Sequence, residues 1–182
     1  DRSGLFLLGA IFAWFVGWNA TEAFFTLYAR EVLGIPVGTG TQMLTAFAAM
    51  LILFAIPSGL LATRFGRKPI ILIGLLGMTA GVLLVFFVQQ IPLLLLLALM
   101  GGFWALANIK SLPMDYDLAK SGSIGAYTGL YYFAASAAAI TGPIVGGVLV
   151  DLTSYRAIWP FTAAFLLLAA LLMSRVRVQK SA

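Results

Sequence analysis

Hydrophobic residues form six long runs, separated by short connections that are polar or contain glycine and proline. The runs cover residues 5–28, 41–62, 70–88, 92–109, 124–150 and 157–174. Each is long enough to cross a bilayer as a helix, which takes about 20 residues. None alternates between apolar and polar residues as a barrel strand does, and an isolated strand in lipid would leave backbone groups unpaired. We therefore predict an all-α integral membrane protein, with residues 1–182 in a single bundle of six transmembrane helices.

Composition supports this prediction and narrows the function. The chain is 62% hydrophobic and only 9% charged, whereas soluble domains have about 45–50% apolar and about 25% charged residues. It contains no Cys and no His, which removes disulfides, thiolate or imidazole metal ligands, and the usual hydrolytic nucleophile and base pairs. We therefore expect no enzyme activity, no metal site and no cofactor.

The basic residues predict how the chain is oriented. Nine of the eleven Lys and Arg residues fall on one side of the predicted membrane: Arg2, Arg64, Arg67, Lys68, Lys110, Lys120, Arg175, Arg177 and Lys180. Because positive charge accumulates on the cytoplasmic side, we expect a multi-pass protein of the inner or plasma membrane with both termini in the cytoplasm. These charges alternate with membrane spans and form no continuous basic groove, so nucleic acid binding is not expected.

The two halves of the chain resemble each other at a spacing of about 90 residues. Trp14 recurs as Trp104, Asn19 as Asn108, and Gly59-x3-Thr63 as Gly147-x3-Asp151. Each repeat would hold three helices, and an odd number of spans inverts the second repeat relative to the first. Such a 3+3 inverted repeat is a building plan of secondary transporters.

The connection after the second run carries a family motif. It resembles the loop signature G-x-x-x-D-R-x-G-R-K of the major facilitator superfamily at Gly59, Arg64, Gly66, Arg67 and Lys68. The one departure is Thr63 in place of Asp. Because that acid is most regular in the N-terminal half of the family, the resemblance implies the C-terminal six-helix half of a twelve-helix transporter.

The cytoplasmic connections also offer a candidate gate. Asp115 and Asp117 lie beside Lys120 in the fourth connection and are most simply solvated charges. The alternative is that Asp117 forms a cytoplasmic gate with Arg64 or Arg67.

A second motif lies in the fifth run. Gly142, Pro143, Gly146 and Gly147 resemble the G-P-x-x-G-G element of the same superfamily. Proline bends a helix and glycines thin it, which suits a helix that rocks against a partner. The alternative is simply tight helix packing.

Three segments resemble a narrower branch of the family. Residues 13–25, 108–118 and 127–132 are similar to bacterial relatives of the sucrose-type and glycoside-cation symporters. This resemblance implies a carrier that moves a small polar solute, a sugar or glycoside, by alternating access coupled to H⁺ or Na⁺. The alternatives are a drug or metabolite efflux carrier of the same superfamily and a non-transporting membrane scaffold.

Glu22 is the main candidate for ion coupling, because it is the only acid well inside an apolar run. A charge at the centre of a transmembrane helix costs about 2.5–3.5 kcal/mol on insertion scales. Helical spacing places Asn19, Glu22, Thr26 and Arg30 on one face, with Trp18 one turn before Glu22. We expect Glu22 to take and release a proton and this face to bind solute. The alternative is that Glu22 reaches water or pairs with Arg30.

The fourth run has a similar polar face, with Trp104, Asn108 and Ser111, and the family resemblance implies that the first and fourth helices line the cavity. Tyr131 is a further candidate for solute binding, with the interfacial aromatic belt as its alternative. The third and sixth runs lack polar residues almost entirely, so we expect them to face lipid.

One bundle would provide only one wall of a cavity. We therefore expect a second six-helix half as a partner, either upstream in the same polypeptide or in another chain.

Overall fold

Seven α-helices and one short 3-10 turn make up the regular structure of the described residues. A computed structural model describes residues 2–87, 92–118 and 124–177, and for residues 116–118 and 124 it describes the backbone alone. The helices are α1 (Arg2–Leu33), α2 (Val37–Phe65), α3 (Arg67–Phe87), α4 (Leu93–Asn108), α5 (Ser111–Leu118), α6 (Ile124–Leu152) and α7 (Ile158–Arg175). Six segments of the described chain are long and apolar enough to span a membrane, with α4 and the start of α5 forming one of them. The predicted all-α bundle of six spans is confirmed.

The helices extend beyond the apolar runs that predicted them. With 32 residues, α1 is about 48 Å long, whereas the hydrocarbon core of a bilayer is about 30 Å thick. Its ends, with Arg2 and the exposed pair Arg30 and Glu31, therefore project out of the apolar region. Charged residues continue a helix without difficulty once it leaves lipid, so hydrophobicity alone places the ends too far inward.

The arrangement of the helices shows the inverted repeat directly. The largest helix–helix interfaces are α1–α6, α1–α7, α2–α4, α3–α4 and α3–α7. Exchanging α1 with α4, α2 with α6 and α3 with α7 converts this set into itself. The two triplets therefore have the same packing, and they interleave, because α1 and α4 each pack mainly against helices of the other triplet.

Close backbone packing and one polar contact hold these interfaces together. At Gly101 on α4, an added Cβ would lie 2.1 Å from the Phe47 carbonyl oxygen of α2, so only glycine permits this approach. On the other side of the bundle, the Thr162 hydroxyl of α7 donates to the Gly17 carbonyl of α1 at 2.8 Å. The Thr21 hydroxyl in turn lies 2.6 Å from that of Thr162. Small residues and interhelical hydrogen bonds of this kind stabilise helix pairs in lipid.

The expectation that the third and sixth spans face lipid stays a prediction, because each helix has one buried face and one exposed face, with Leu76 of α3 and Leu171 of α7 among the exposed side chains. About half of the most apolar stretch of α3 is buried, and slightly less of α7, whereas only 11% of that stretch of α2 is buried. The reason is that α3 and α7 pack against each other and against α4 and α1. An apolar side chain suits a helix interface as well as it suits lipid, so composition does not distinguish the two.

We expect Thr162→Val to destabilise the bundle by about 1–2 kcal/mol, because it removes both the hydrogen bond to Gly17 and the acceptor for Thr21. The measurement is equilibrium unfolding in mixed detergent micelles. The matched control is Thr79→Val, since the buried Thr79 hydroxyl bonds only the Leu75 carbonyl of its own helix. Equal losses in the two variants would contradict the role of the α1–α7 contact.

Candidate functional site

A cleft of about 280 Å³ lies between α1, α2 and α4. The middle of α1 contributes four residues, whose spacing places them on one face of the helix. The middle of α2 contributes a second wall and α4 contributes a tryptophan. The lining residues are Phe15, Trp18, Asn19, Glu22, Leu44, Phe47, Ala48, Leu51 and Trp104.

Stacked aromatic rings form much of this lining. The Trp18 and Phe47 rings are nearly parallel, with centroids 4.3 Å apart and planes at 14°. The Trp104 ring lies 5.4 Å from that of Trp18 and 5.7 Å from Phe15, edge-on at 89°. These are the preferred geometries of aromatic pairs, so rings from three helices stabilise one another and give the cleft a firm apolar surface.

Two polar side chains complete the lining. The Asn19 amide nitrogen donates to the Phe15 carbonyl at 2.7 Å, which leaves its oxygen free to accept. The Glu22 carboxylate is exposed to the cleft and has no hydrogen bond or ion pair within the described part of the chain. Arg30 does not pair with it, because the Arg30 Nε lies 3.4 Å from Glu31 Oε1 instead.

The fourth span is broken just below the cleft. It ends as α4 at Asn108 and resumes as α5 at Ser111, whose hydroxyl lies 2.6 Å from the Asn108 carbonyl. The Tyr131 hydroxyl of α6 lies 2.8 Å from the same Ser111 oxygen. Tyr131 is buried at this break, and neither Asn108 nor Tyr131 lines the cleft.

The residues of the loop motif fix the turn between α2 and α3. Gly66 alone connects these helices, with φ of 91°, a conformation that side chains rarely adopt. The Arg67 guanidinium donates to the Pro113 carbonyl of α5. The Lys68 ammonium donates to the carbonyls of Ser174 and Val176 at 2.8 and 2.6 Å, where the end of α7 attracts positive charge. The motif thus ties three elements together at one end of the bundle.

The other members of the motif make fewer contacts. Gly59 leaves room for the Lys110 side chain, whose ammonium nitrogen would lie 3.3 Å from an added Cβ. Arg64 is exposed, with its guanidinium 5.3 Å from the centre of the adjacent Phe65 ring. The side chain of Asp117 and all of Lys120 lie outside the described residues, so a gate between Asp117 and Arg64 or Arg67 stays a prediction.

The glycines of the second motif bring α6 against α1. A Cβ on Gly142 would lie 2.6 Å from the Val16 carbonyl oxygen, and one on Gly146 would lie 2.9 Å from the Ala20 Cβ. Gly147 faces Phe24 of α1. The helix α6 continues without interruption through Pro143. The motif therefore permits close packing along the back of the helix that lines the cleft.

Comparison with known proteins decides the family. The family model described as Major Facilitator Superfamily matches residues 4–182, which is nearly the whole chain. The chain belongs to the Major Facilitator Superfamily. The six long apolar helices of the fold agree with this membership.

Several curated superfamily members are similar to the chain. It is 34% identical to "Multidrug resistance protein MdtG" of Proteus mirabilis over 178 residues, which is 90% of this chain and 40% of the relative. It is 31% identical to "Multi-drug resistance efflux pump PmrA" of Streptococcus pneumoniae over 147 residues, 75% of this chain and 36% of the relative. It is 28% identical to "Tetracycline resistance protein, class H" of Pasteurella multocida over 145 residues, 77% and 36%. The chain thus spans well under half the length of these relatives.

These relatives correct the branch expected within the superfamily. Their names refer to drug resistance and efflux, so the resemblance to sugar symporters finds no support. They agree better with the alternative of an efflux carrier.

The structure brings some of the predicted site residues together and separates others. Trp18, Asn19, Glu22 and Trp104 meet in the cleft. Helical spacing predicted this for the three residues of α1, and the family resemblance implied it for the fourth helix. Phe15 and the whole wall from α2 were not predicted, because nothing in the sequence of α2 marks which of its apolar faces meets α1.

Asp115 was expected to be a solvated charge, which is wrong for this structure. Its side chain is 0% exposed, and neither carboxylate oxygen has a hydrogen-bond partner among the described residues. The cause is α5, which folds where a loop was expected and packs against α6, α1 and α3. The sequence did contain a signal for this helix, since Ser at 111 and Pro at 113 are both common at a helix start.

For the α6 motif, we expect Gly142→Ala to destabilise the protein by about 1–3 kcal/mol, because the methyl group would press on the α1 backbone. The control is Gly129→Ala on the same helix, where an added Cβ meets nothing within 4 Å and alanine favours the helix. Thermal unfolding in detergent compares the two. A Gly142→Ala variant as stable as the control would contradict the packing role.

Proposed function

We propose that this chain forms one half of an efflux carrier for lipophilic solutes, preferentially aromatic cations, which works by alternating access across the plasma membrane. The observation that supports this proposal is the cleft, where stacked tryptophan and phenylalanine rings lie beside the unpaired carboxylate of Glu22. An aromatic cation satisfies both features. Ring faces attract positive charge, and the attraction is worth about 2 kcal/mol or more when desolvated, while the carboxylate supplies the opposite charge.

The same lining suits a hydroxyl-rich sugar poorly. Only Asn19 and Glu22 among the lining residues have polar side chains apart from the indole nitrogens, and the Asn19 amide already donates to Phe15. A sugar needs a hydrogen-bond partner for most of its hydroxyl groups, since unpaired polar groups cost about 1–3 kcal/mol each. A flat apolar solute makes no such demand, in keeping with the drug-resistance names of the relatives.

Glu22 also offers a simple means of coupling. Either a proton or a cationic solute neutralises its carboxylate, but the two cannot do so at once. The carrier alternates between two states that expose the cleft to opposite sides of the membrane. If a proton replaces the solute at Glu22 in one state and the solute replaces the proton in the other, solute efflux is linked to proton entry. On this basis we propose H⁺ rather than Na⁺ as the coupling ion.

A second six-helix half completes the cavity in this proposal. The cleft is open, and α2 beside it presents large exposed apolar side chains, among them Ile52, Leu53, Ile56 and Leu60. These surfaces need cover from lipid or protein. We propose that both ends of the chain lie in the cytoplasm, the side that the positive-inside distribution of Lys and Arg favours.

Transport by the intact carrier in proteoliposomes tests the proposed substrate class. We expect a pH gradient to drive movement of ethidium, an aromatic cation, and to leave sucrose where it is. Transport of sucrose without ethidium would overturn the proposal. If neither ethidium nor sucrose moves and neither solute causes a proton flux, a non-transporting scaffold becomes the better explanation.

We expect Glu22→Gln to weaken ethidium transport about 10-fold to 100-fold, because a buried charge-assisted contact is worth about 1.5–3 kcal/mol and about 1.4 kcal/mol corresponds to a factor of ten. Transport of a neutral aromatic solute should fall much less. The control is Glu31→Gln, which removes an exposed carboxylate on the same helix that pairs with Arg30. Full proton-driven transport by Glu22→Gln would rule out the coupling role.

A further inference from the structure

A second cavity lies at the opposite end of α1 from Arg30 and Glu31, and its lining is strongly basic. It measures about 460 Å³ and is formed by the first turns of α1, the start of α3 and the end of α7. A water molecule occupies about 30 Å³, so this space is large enough for a ligand bigger than a single ion. We call it the basic pocket; its lining includes Arg2, Phe6, Lys68, Ser174, Arg175 and Arg177.

The positive charge in the basic pocket is not neutralised within the described chain. Among the described residues that line it, none is acidic. The one ion pair between described residues, Arg30 with Glu31, lies at the other end of α1. Lys68 is occupied, because its ammonium donates to the two carbonyls at the end of α7. The side chains of Arg2, Arg175 and Arg177 have no hydrogen bond or ion pair to another described residue, and they are the groups that a ligand in this pocket would meet.

Three guanidinium groups around one cavity favour a phosphate. Each presents a planar set of N–H donors that matches phosphate oxygens, and this match is better than that of an ammonium. The N-termini of α1 and α3 lie at the same end of the bundle and add partial positive charge. The expected ligand is therefore a phosphate-bearing anion.

The surroundings of the pocket point to a lipid as the source of this phosphate. Leu5, next to the lining residue Phe6, is 71% exposed, and Leu171, one turn before Arg175, is 64% exposed. In a transmembrane bundle such side chains contact acyl chains. A ligand with its phosphate in the pocket and its hydrocarbon along these leucines would satisfy both surfaces at once.

We propose that the basic pocket binds the headgroup of an anionic phospholipid. The phosphate lies among Arg2, Arg175 and Arg177, and the acyl chains extend along Leu5 and Leu171. The lipid joins the start of α1 to the end of α7, and the Lys68 contacts already hold the end of α7 beside α3. The site is separate from the aromatic cleft, so it stands whether or not the proposed efflux function is right.

Titration of labelled phosphatidylglycerol into the intact carrier in detergent tests this proposal, with phosphatidylcholine as the comparison lipid. We expect phosphatidylglycerol to bind more tightly than phosphatidylcholine. We expect Arg175→Gln with Arg177→Gln to weaken its binding about 30-fold, since each basic residue near anionic lipid contributes roughly fivefold. The matched control is Arg30→Gln with Arg156→Gln, which removes the same charge at the other end of the bundle and should leave binding unchanged.

Three results would overturn the proposal. The first is equal binding of phosphatidylglycerol by the Arg175 and Arg177 double variant and by the wild type, with the melting temperature unchanged. The second is binding of inorganic phosphate alone as tightly as the lipid, which would make the pocket a site for a soluble anion. The third is binding only after Asp1→Asn, which would mean that a carboxylate of the chain itself fills the pocket.

Discussion

Close packing of helix backbones around α1 and α4 is the constraint on which the rest of the structure depends. Lipid is as apolar as leucine, so burial of side chains provides little net drive for helices to associate in a membrane. Association must come from close contact and from interhelical hydrogen bonds, which Gly101, Gly142 and the pair Thr21 and Thr162 provide. Because α6 and α7 hold α1 from behind in this way, its remaining face is free to line the cleft.

The sequence predicted the membrane spans well because each physical signal for them is local. Twenty apolar residues make a helix in lipid whatever surrounds them. The positions of Trp18, Asn19 and Glu22 followed from the period of the helix, and that of Trp104 followed from the family resemblance, which implied that the fourth helix lines the cavity. Their exposure to a common cleft was therefore predictable before any packing was known.

Other features depended on packing that leaves no mark in the sequence. Phe47 enters the cleft because α2 turns that face toward α1, and its neighbours on α2 are equally apolar. The buried faces of α3 and α7 were missed for the same reason. Asp115 was missed because a single turn of helix beyond a break determines whether its carboxylate meets water or protein.

On the proposed function, a sugar site and a drug site differ in how many side-chain groups are free to form hydrogen bonds with the solute. Tryptophan packs against either kind of solute, so aromatic residues on α1 and α4 do not distinguish them. What distinguishes them is whether the polar side chains nearby have capacity left to bind. In this cleft one N–H of the Asn19 amide is engaged by its own backbone, and the carboxylate of Glu22, which has no partner among the described residues, carries charge.

The interleaving of the two triplets also has a consequence for biosynthesis. The main partners of α1 are α6 and α7, and α6 begins at Ile124, long after α1 ends at Leu33. At the usual 5–20 residues per second, roughly 5–20 s pass between synthesis of the two helices. During this interval α1 is in the membrane without the α7 surface that covers Gly17 and Thr21. The two largest interfaces of the first helix therefore form only after the last third of the bundle has been synthesised.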